Sequence, residues 1–466
     1  MMTKYSRRSF IKDGSLLSIA GATSPFVLNL AAIGEAAAAT ASDYKALVCV
    51  FMYGGNDYAN TLVPYDQDRF SSYSQLRPSL AYNHESLDAT RLDPVTPLPS
   101  GAQYALAPAL SKLHPIFQSG KMAVMLNLGT LIEPTTKAQY LSRSTVLPPK
   151  LMSHNDQQSF WQASGAEGAK SGWGGRVADL VQSGNGNSML TCVSVSGNAV
   201  FLSGNSAIQY AITPSGPIAL NAGSALGGSA LASDVLKEMI GGSLLGNHLF
   251  QEEYGKIGSR SLKLYSQINS AISGGPTIGT VFPSSVDPQS TLSAQLKMVA
   301  RLVSVGKELG MKRQIFFVST GRFDTHSSLK TVHPVLLENL ADALRAFYDA
   351  TVELGVSEQV TTFTGSDFGR TLTSNNDGSD HGWGSMHFVL GGAVKGGRYY
   401  GTNPVLANGG PDDIGLGRLI PTMSVNQYAA TLAKWFGVPA GDLPLILPHL
   451  PNFVGSKFGT DLGFMA

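Results

Sequence analysis

The stretch 360–370, VTTFTGSDFGR, contains a pattern that recurs in this chain, namely a predicted strand followed closely by an aspartate. A run of β-branched and aromatic residues, typical of a buried strand, ends abruptly at Asp367. Two other apolar runs end in the same way. The run VCVFMY leads through a Gly-Gly turn to Asp57, and the run IFFVST leads into a loop with Asp324 and His326. Three predicted strands therefore each place a carboxylate just past their carboxyl end.

Helical periodicity between the apolar runs predicts the fold class. Apolar residues recur at helical spacing from Val332 to Leu354. Strands that alternate with helices predict an α/β protein with three α/β/α layers and a mostly parallel central sheet. The predicted strands are at 45–53, 121–129, 189–197, 199–204, 314–320, 359–365 and 386–394, and the predicted helices are at 104–118, 291–310, 332–354, 425–438 and after the N-cap Ser153.

Carboxylates at the ends of parallel strands predict a cation site. The carboxyl ends of such strands share one edge of the sheet, where ligands bind. Three carboxylates would repel one another there unless a positive charge lay between them. Thirteen residues after Asp367 the pair Asp380-His381 follows, and mixed carboxylate and imidazole ligands suit Zn, Mn or a related divalent metal such as Ca. The predicted ligands of one or two ions are Asp57, Asp324, His326, Asp367 and His381, with Asp380 and His387 as further candidates.

Each of these residues alone has a simpler interpretation. Aspartate and serine are common helix N-caps after strands, and Asp-Gly and Asn-Gly pairs form turns. The recurrence of aspartate at three strand ends, with histidine in two of the loops, favours the metal site over these local roles.

Two further residues are candidate catalytic groups. Arg370 can bind phosphate or sulfate through its planar guanidinium, or it can hold the loop through an ion pair. Ser153 would present its hydroxyl at the positive end of a helix dipole, or act only as an N-cap. His154 and Asp156 add polar groups to the same turn. The sequence contains no Gly-x-Ser-x-Gly nucleophile motif.

Composition limits the class of protein. With 466 residues, of which 43% are hydrophobic, the chain can bury a large core. A net charge of +1, with 14% charged residues, gives no electrostatic basis for binding nucleic acid. Cys49 and Cys192 both lie within apolar runs, which favours buried free thiols, and a disulfide in an oxidising compartment is the alternative.

The N-terminus predicts export. Residues 6–12, SRRSFIK, match the twin-arginine pattern, and an apolar stretch and the small-residue run EAAAATAS follow. This order predicts a cleavable signal at 1–39, recognised by the twin-arginine translocase and leading to the periplasm or another place outside the cytoplasm. A chance Arg-Arg pair before a helix is the alternative. We expect one domain at 40–466, with a Gly/Ser-rich surface insertion at about 214–289 and no transmembrane anchor in the mature form.

Several segments resemble the domain-of-unknown-function family fifteen-hundred-and-one. They are MYGGNDYANTLVPYD, FDTHSSL, SDFGRT, SDHGWGSMHFVLGGAVKGGRYYG and the closing TLAKWFGV. That family is distantly similar to the alkaline phosphatase and sulfatase superfamily. The resemblance implies an α/β/α fold with a two-metal site and a hydroxyl or modified-cysteine nucleophile. It also implies metal-binding roles for Asp57, Asp324, His326, Asp367 and His381, whereas Phe368 stands where that superfamily has a histidine.

These features together predict an exported metal-dependent hydrolase of small phosphate or sulfate esters. In this interpretation the metal polarises the ester and activates Ser153 or water, and Arg370 binds the anion. The alternative is a non-catalytic exported binding or assembly protein that retains the fold. Phe368 and the missing nucleophile motif favour that alternative.

Overall fold

The computed structural model describes residues 43–218 and 263–466, together with Val235 and Glu238. The signal peptide predicted at 1–39 and the central part of the insertion predicted at 214–289 lie outside the described residues, and both stay predictions. The strands are β1 Lys45–Met52, β2 Leu62–Pro64, β3 Tyr104–Leu106, β4 Met122–Gly129, β5 Cys192–Ser194, β6 Tyr210–Ala211, β7 Arg313–Thr320, β8 Val360–Ser366, β9 Ser385–Gly391, β10 Arg398–Gly401 and β11 Met423–Ser424.

One large sheet has the strand order β10-β4-β9-β8-β1-β7-β5-β6, and β11 pairs with β4. Every pairing in it is parallel except those of β9, which runs antiparallel to both β4 and β8. The predicted mostly parallel sheet is therefore confirmed. Because β1 pairs in parallel with β7 and with β8, the carboxyl ends of these three central strands lie at the same edge. Strands β2 and β3 form a separate antiparallel pair.

Helices cover the sheet on both faces. They are α1 Gln67–Leu76, α2 His114–Gln118, α3 Lys137–Ser142, α4 His154–Ala163, α5 Trp173–Val181, α6 Leu292–Ser304, α7 Leu329–Glu353, α8 Val425–Phe436 and α9 Leu443–Ile446. A further helical stretch spans 263–274. In the part of the chain that the structure describes, no helix is long and apolar enough to cross a membrane.

The central strand β1 is a continuous apolar run because it is buried on both faces. Successive side chains of a strand point to opposite faces of its sheet. Val48 and Val50 join a core cluster with α6 and α7, whereas Leu47 and Phe51 join a second cluster with α5 and α8. Both faces of the sheet are therefore buried, as the predicted three layers require. Each such buried aliphatic or aromatic side chain contributes roughly 1.5–3 kcal/mol to folding.

Two predicted elements were wrong. The helix predicted at 104–118 is strand β3, a 3-10 helix at Pro108–Leu113 and the short helix α2. Pro108 and Pro115 each start a new helical turn, because proline is tolerated at the first helical positions and disrupts a continuous helix. The strand predicted at 199–204 is a 3-10 turn at Val200–Leu202. Its backbone packs against the start of α5, where the Gly172 amide donates to the Ser203 carbonyl.

Both cysteines are buried free thiols, as predicted. Cys49 lies on β1 and Cys192 on β5, and strand β7 separates them in the sheet. Neighbouring strands are about 4.8 Å apart, so two strand spacings exceed the Cα separation of about 7 Å that a disulfide spans. The sheet order therefore keeps the two thiols apart.

Candidate metal centre

Three strand-end loops converge at the carboxyl edge of the sheet, and the Gly54-Gly55 pair after β1 allows this. Both glycines have positive φ, at 116° and 83°. A Cβ atom on Gly54 would lie 2.3 Å from the Asp324 amide nitrogen, and one on Gly55 would lie 2.4 Å from the ring of Phe368. The loops that follow β7 and β8 can therefore close onto the end of β1 only because these two residues lack side chains.

Three imidazoles meet at this edge, each with its Nδ1 atom against an oxygen. His154 Nδ1 lies 2.6 Å from Asp367 Oδ2, and His326 Nδ1 lies 3.0 Å from Asp380 Oδ1. His381 Nδ1 lies 2.8 Å from the carbonyl oxygen of Met152. A carbonyl oxygen or an ionised carboxylate can only accept a hydrogen bond, so in each ring Nδ1 carries the proton. In the neutral ring the lone pair is then on Nε2.

The Nε2 atoms of all three rings face the carboxylate of Asp324. His326 Nε2 and His381 Nε2 lie 3.1 and 3.2 Å from Asp324 Oδ1, and 2.9 Å from each other. His154 Nε2 lies 3.6 Å from Asp324 Oδ2. The ligand atoms of His154, Asp324 and His381 all lie within 4.8 Å of one another, so this group could hold a metal ion.

The donor set fits a divalent cation. The Nε2 lone pairs of His381 and His154 lie 3.2 and 3.6 Å from the Asp324 oxygens, and they are repelled by the carboxylate unless a proton or a cation lies between them. Tetrahedral coordination with bonds of 2.0–2.1 Å places neighbouring ligand atoms about 3.3 Å apart, close to these separations. Imidazole and carboxylate ligands suit zinc and related transition metals. Hydrogen bonds from the other ring nitrogen to Asp367, Asp380 or Met152 are the contacts that orient histidine ligands.

A buried arginine holds Asp324 in place. Arg370 Nη1 lies 2.9 Å from Asp324 Oδ1 and also donates to the carbonyl oxygen of Gly54, at 2.9 Å. Its Nε donates to the Ser379 carbonyl oxygen at 3.0 Å. Burial would raise the pKa of the Asp324 carboxyl, but the hydrogen bond and the charge of Arg370 lower it below its usual value. Asp324 is therefore ionised and ready to bind a cation.

The imidazoles differ in basicity. The hydrogen bond to Asp367 raises the pKa of His154 against the opposing effect of burial. Burial lowers the pKa of His381, and the nearby His154 and Arg370 act in the same direction. Burial opposes ionisation of Asp380, yet hydrogen bonds from Asn375 and His326 lower the pKa of that carboxyl. His381 is therefore neutral near pH 7, the state in which a histidine binds metal.

The structure places Asp57 in a buried ion pair. Asp57 Oδ2 lies 2.7 Å from Arg77 Nη2 and accepts a hydrogen bond from Ser379 at 2.6 Å, and its Oδ1 accepts the Asn60 amide at 2.9 Å. The side chains of Arg77 and Asp57 are 0% and 1% exposed. Both carboxylate oxygens of Asp57 thus have hydrogen-bond partners within the protein, and one of these partners is the cationic side chain of Arg77.

Asp367 faces the back of the histidine cluster. Its Oδ2 accepts from His154 Nδ1, from Gln158 Nε2 at 2.8 Å and from the Gly54 amide at 3.2 Å. The next residue, Phe368, is buried with its ring centroid 4.9 Å from that of His154 and 4.6 Å from that of His381. The carboxylate orients one imidazole, and the phenyl ring packs against two of them.

The two predicted catalytic groups have other partners here. The Ser153 hydroxyl lies 2.9 Å from Asp156 Oδ2, at the N-terminus of α4. Arg370 is fully buried, and its nitrogens bind Asp324, Gly54 and Ser379. The structure does not bring His387 to the cluster: it lies in strand β9, buried, with its ring 4.8 Å from that of Trp161.

His154 is the member of the cluster that the sequence did not predict as a ligand. Its segment precedes β8 by about two hundred residues, and only the position of α4 brings it to the edge of the sheet. One signal was present in the sequence, namely a histidine at the first position of a predicted helix. The backbone is also strained at this edge. The φ angles of Met152, Arg322 and Ser328 are 69°, 72° and 54°, and residues other than glycine seldom adopt positive φ.

The chain matches a known family over part of its length. Residues 297–426, which include Asp324, His326, Asp367 and His381, match a family described as "Protein of unknown function (DUF1501)". The resemblance expected from the motifs is confirmed there. Among curated proteins, none matches the chain.

Three solved structures show a distant similarity. The first is Ps i-CgsB in complex with k-i-k-neocarrahexaose, with 9% identity and a TM-score of 0.36, covering 87% of this chain and 77% of that one. The PsFucS1 sulfatase from Pseudoalteromonas sp. has 9% identity and a TM-score of 0.34, covering 89% and 72%. The lipoteichoic acid synthase LtaP from Listeria monocytogenes has 8% identity and a TM-score of 0.32, covering 86% and 74%.

Proposed function

We propose that this protein is an exported metal-dependent hydrolase of phosphate or sulfate esters. The observation that carries the proposal is the convergence of His154, Asp324 and His381 at the carboxyl edge of the sheet. A divalent metal held there would polarise the ester oxygen and lower the pKa of water. The side chain of Asp324 is 44% exposed, so a substrate can reach the centre. Structural metal sites are closed, whereas catalytic ones keep an open position.

The surrounding residues have distinct roles in this proposal. His154, Asp324 and His381 hold the metal, and Asp367 and the Met152 carbonyl fix the orientation of the two rings. His326 lies at the rim, with its side chain 45% exposed and its Nδ1 bonded to Asp380. Its Nε2 can therefore accept a proton from the attacking water and return it to the leaving group.

Local charge supports an anionic ester as the substrate. Among the described residues, Asp324 is the carboxylate that directly faces the Nε2 atoms, and Arg370 already balances its charge. The charges of a divalent cation at that position and of Arg370 would together offset those of Asp324, Asp367 and Asp380, and the metal would present its positive charge at the solvent-facing side. Positive charge in a cleft attracts and orients an anion such as a phosphate or sulfate ester.

A second candidate function is that of a non-catalytic exported binding or assembly protein. The contacts of Ser153 and Arg370 favour it. The Ser153 hydroxyl forms a hydrogen bond with Asp156, and the Arg370 guanidinium is already bound to Asp324. If the protein is instead a hydrolase, water must attack the ester directly, with His326 as the proton acceptor. The two candidates thus differ in turnover, not in metal binding.

The decisive experiment combines metal content and hydrolysis in matched histidine variants. We expect about one equivalent of metal in the mature protein and in His326→Ala, and loss of metal in His381→Ala. Hydrolysis of 4-nitrophenyl phosphate or 4-nitrophenyl sulfate should fall about 10²- to 10⁴-fold in His326→Ala, the usual contribution of a general base. His114→Ala removes a surface histidine outside the centre and is the control.

Two outcomes would contradict the proposal. Metal retained in His381→Ala would mean that the ion binds elsewhere. Stoichiometric metal without hydrolysis of either ester by the unmodified protein would favour the binding or assembly function.

A further inference from the structure

A cavity opens at the carboxyl end of β4, apart from the histidine cluster. It has a volume of about 550 Å³, and its lining includes Leu131, Lys137, Thr402, Ile420, Thr422 and Lys457. Strand β4 runs in the same direction as β8, because β9 is antiparallel to both. The cavity therefore opens at the same edge of the sheet as the metal centre. Its size is within the range of small-molecule sites.

A short shared wall separates the cavity from the metal centre. Leu131 and Ile420 line the cavity and also pack in one cluster with Trp383, two residues after His381. Arg418, two residues before Ile420, donates from Nε to the His381 carbonyl oxygen at 2.8 Å. The cavity therefore lies next to the metal centre, and the packed side chains of the wall separate the two.

The charged groups of the cavity favour an anion. Lys137 Nζ lies 3.1 and 2.9 Å from the carbonyl oxygens of Gly409 and Gly410, and Lys457 Nζ lies 3.0 Å from Thr402 Oγ1. Within the described residues, neither ammonium group forms an ion pair. The carboxylate of Asp412 lies in the same lining, but it accepts the amide of Val405. The lining therefore contains the ammonium groups of Lys137 and Lys457 and the carboxylate of Asp412, and its net charge is positive.

The other lining groups favour a ligand with hydroxyls. The lining also carries the hydroxyl groups of Thr135, Thr136 and Thr402. A hydroxyl group can both donate a hydrogen bond to a ligand hydroxyl and accept one from it. Leu131, Ile420 and Phe458 supply an apolar surface for the C–H face of a ring.

We propose that this cavity binds an anionic polyol, that is, a sugar-like ligand that carries a sulfate or phosphate group. The two lysines would bind the anion, and the threonine-rich wall would bind the hydroxyls. This inference is independent of the proposed hydrolytic function, because none of the groups that carry it belongs to the metal centre.

Calorimetry with glucose 6-sulfate, glucose 6-phosphate, glucose and inorganic sulfate tests the proposal on the mature protein. We expect both esters to bind in the low millimolar range and more tightly than glucose or sulfate. Lys137→Gln/Lys457→Gln should weaken the binding of both esters about tenfold, because it removes the two charges that would bind the anion.

Two control variants keep the test decisive. Lys307→Gln/Lys395→Gln changes the net charge equally at exposed positions on the opposite edge of the sheet, and it should leave ester binding unchanged. His381→Ala removes any ester binding at the metal centre, and the lysine-dependent ester binding at the cavity should persist in it. Loss of ester binding in His381→Ala would place the ligand at the metal centre and overturn the proposal. Equal binding by the lysine double variant, or no binding of either ester by the unmodified protein, would overturn it as well. Thermal unfolding of each variant verifies that it folds.

Discussion

His154 Nδ1 lies 2.6 Å from Asp367 Oδ2, although the two residues are 213 positions apart in the chain. The carboxylate at the end of β8 thus orients an imidazole from α4, and the imidazole presents its Nε2 atom to Asp324. The contact joins the strand-end loop of β8 to the helix that carries the third imidazole of the cluster.

Asp367→Asn should weaken metal binding without abolishing it. The asparagine keeps the shape, but it weakens the hydrogen bond and removes the charge that together raise the pKa of His154. Loss of such an orienting partner typically lowers metal affinity about 10- to 100-fold. Competitive chelator titration measures the affinity, and NMR titration of the metal-free protein should show a lower pKa for His154. Asp349→Asn, in a surface pair with Arg345, is the matched control. Unchanged metal affinity would show that Asp367 has no influence on the centre.

Asp57→Asn should destabilise the protein and leave the metal content of the folded fraction unchanged. The substitution leaves the Arg77 charge buried without its partner, which costs about 3–5 kcal/mol. The double variant Asp57→Leu/Arg77→Met removes both charges and should recover most of this loss. Denaturant unfolding measures the free energies. A folded Asp57→Asn protein that has lost its metal would instead identify Asp57 as a ligand.

Stability should fall as the pH decreases below about 6.5, in part because of His387. Burial lowers the pKa of His387 to about 3 in the folded protein, whereas the unfolded chain protonates near 6.5. The unfolded state therefore binds the proton first, and between pH 7 and pH 5 this histidine alone reduces the free energy of unfolding by about 2 kcal/mol.

Denaturant unfolding at several pH values measures this dependence. His387→Gln should make the decline less steep between about pH 6.5 and pH 3. A second buried histidine, His333, whose pKa burial lowers to about 4, acts in the same direction and remains in that variant. His114→Gln, at a half-buried position on the short helix α2, should leave the slope unchanged. An identical slope in His387→Gln would contradict the assigned burial of a neutral imidazole.

Replacing Arg7 and Arg8 with lysine should block export. The prediction rests on the sequence SRRSFIK, because the twin-arginine translocase recognises the arginine pair. Fractionation should find the precursor in the cytoplasm for this variant, and mature protein outside it for the unmodified chain. Lys4→Arg, a conservative change nearby, should be exported normally. Normal export of the double lysine variant would rule out the twin-arginine route.

Local sequence determined the layers of the fold. Continuous apolar runs and helical periodicity are properties of neighbouring residues, so they predicted β1, β4, β7, β8 and β9, the long helix α7 and the mostly parallel sheet. Errors occurred where local pattern was ambiguous. The run at 104–118 has helical spacing, but Pro108 and Pro115 divide it, and the pairing of β3 with β2 decides its first residues.

Sequence by itself also placed Asp324, His326 and His381 near one edge, because the ends of parallel strands lie together by geometry. Only the tertiary structure decided what each polar group contacts. Arg77, at the end of α1, pairs with Asp57, and α4 brings His154 to Asp367. These contacts depend on how helices pack against the sheet across long separations in the chain. Periodicity shows which face of a helix is buried, but it does not show which distant charge that helix will meet.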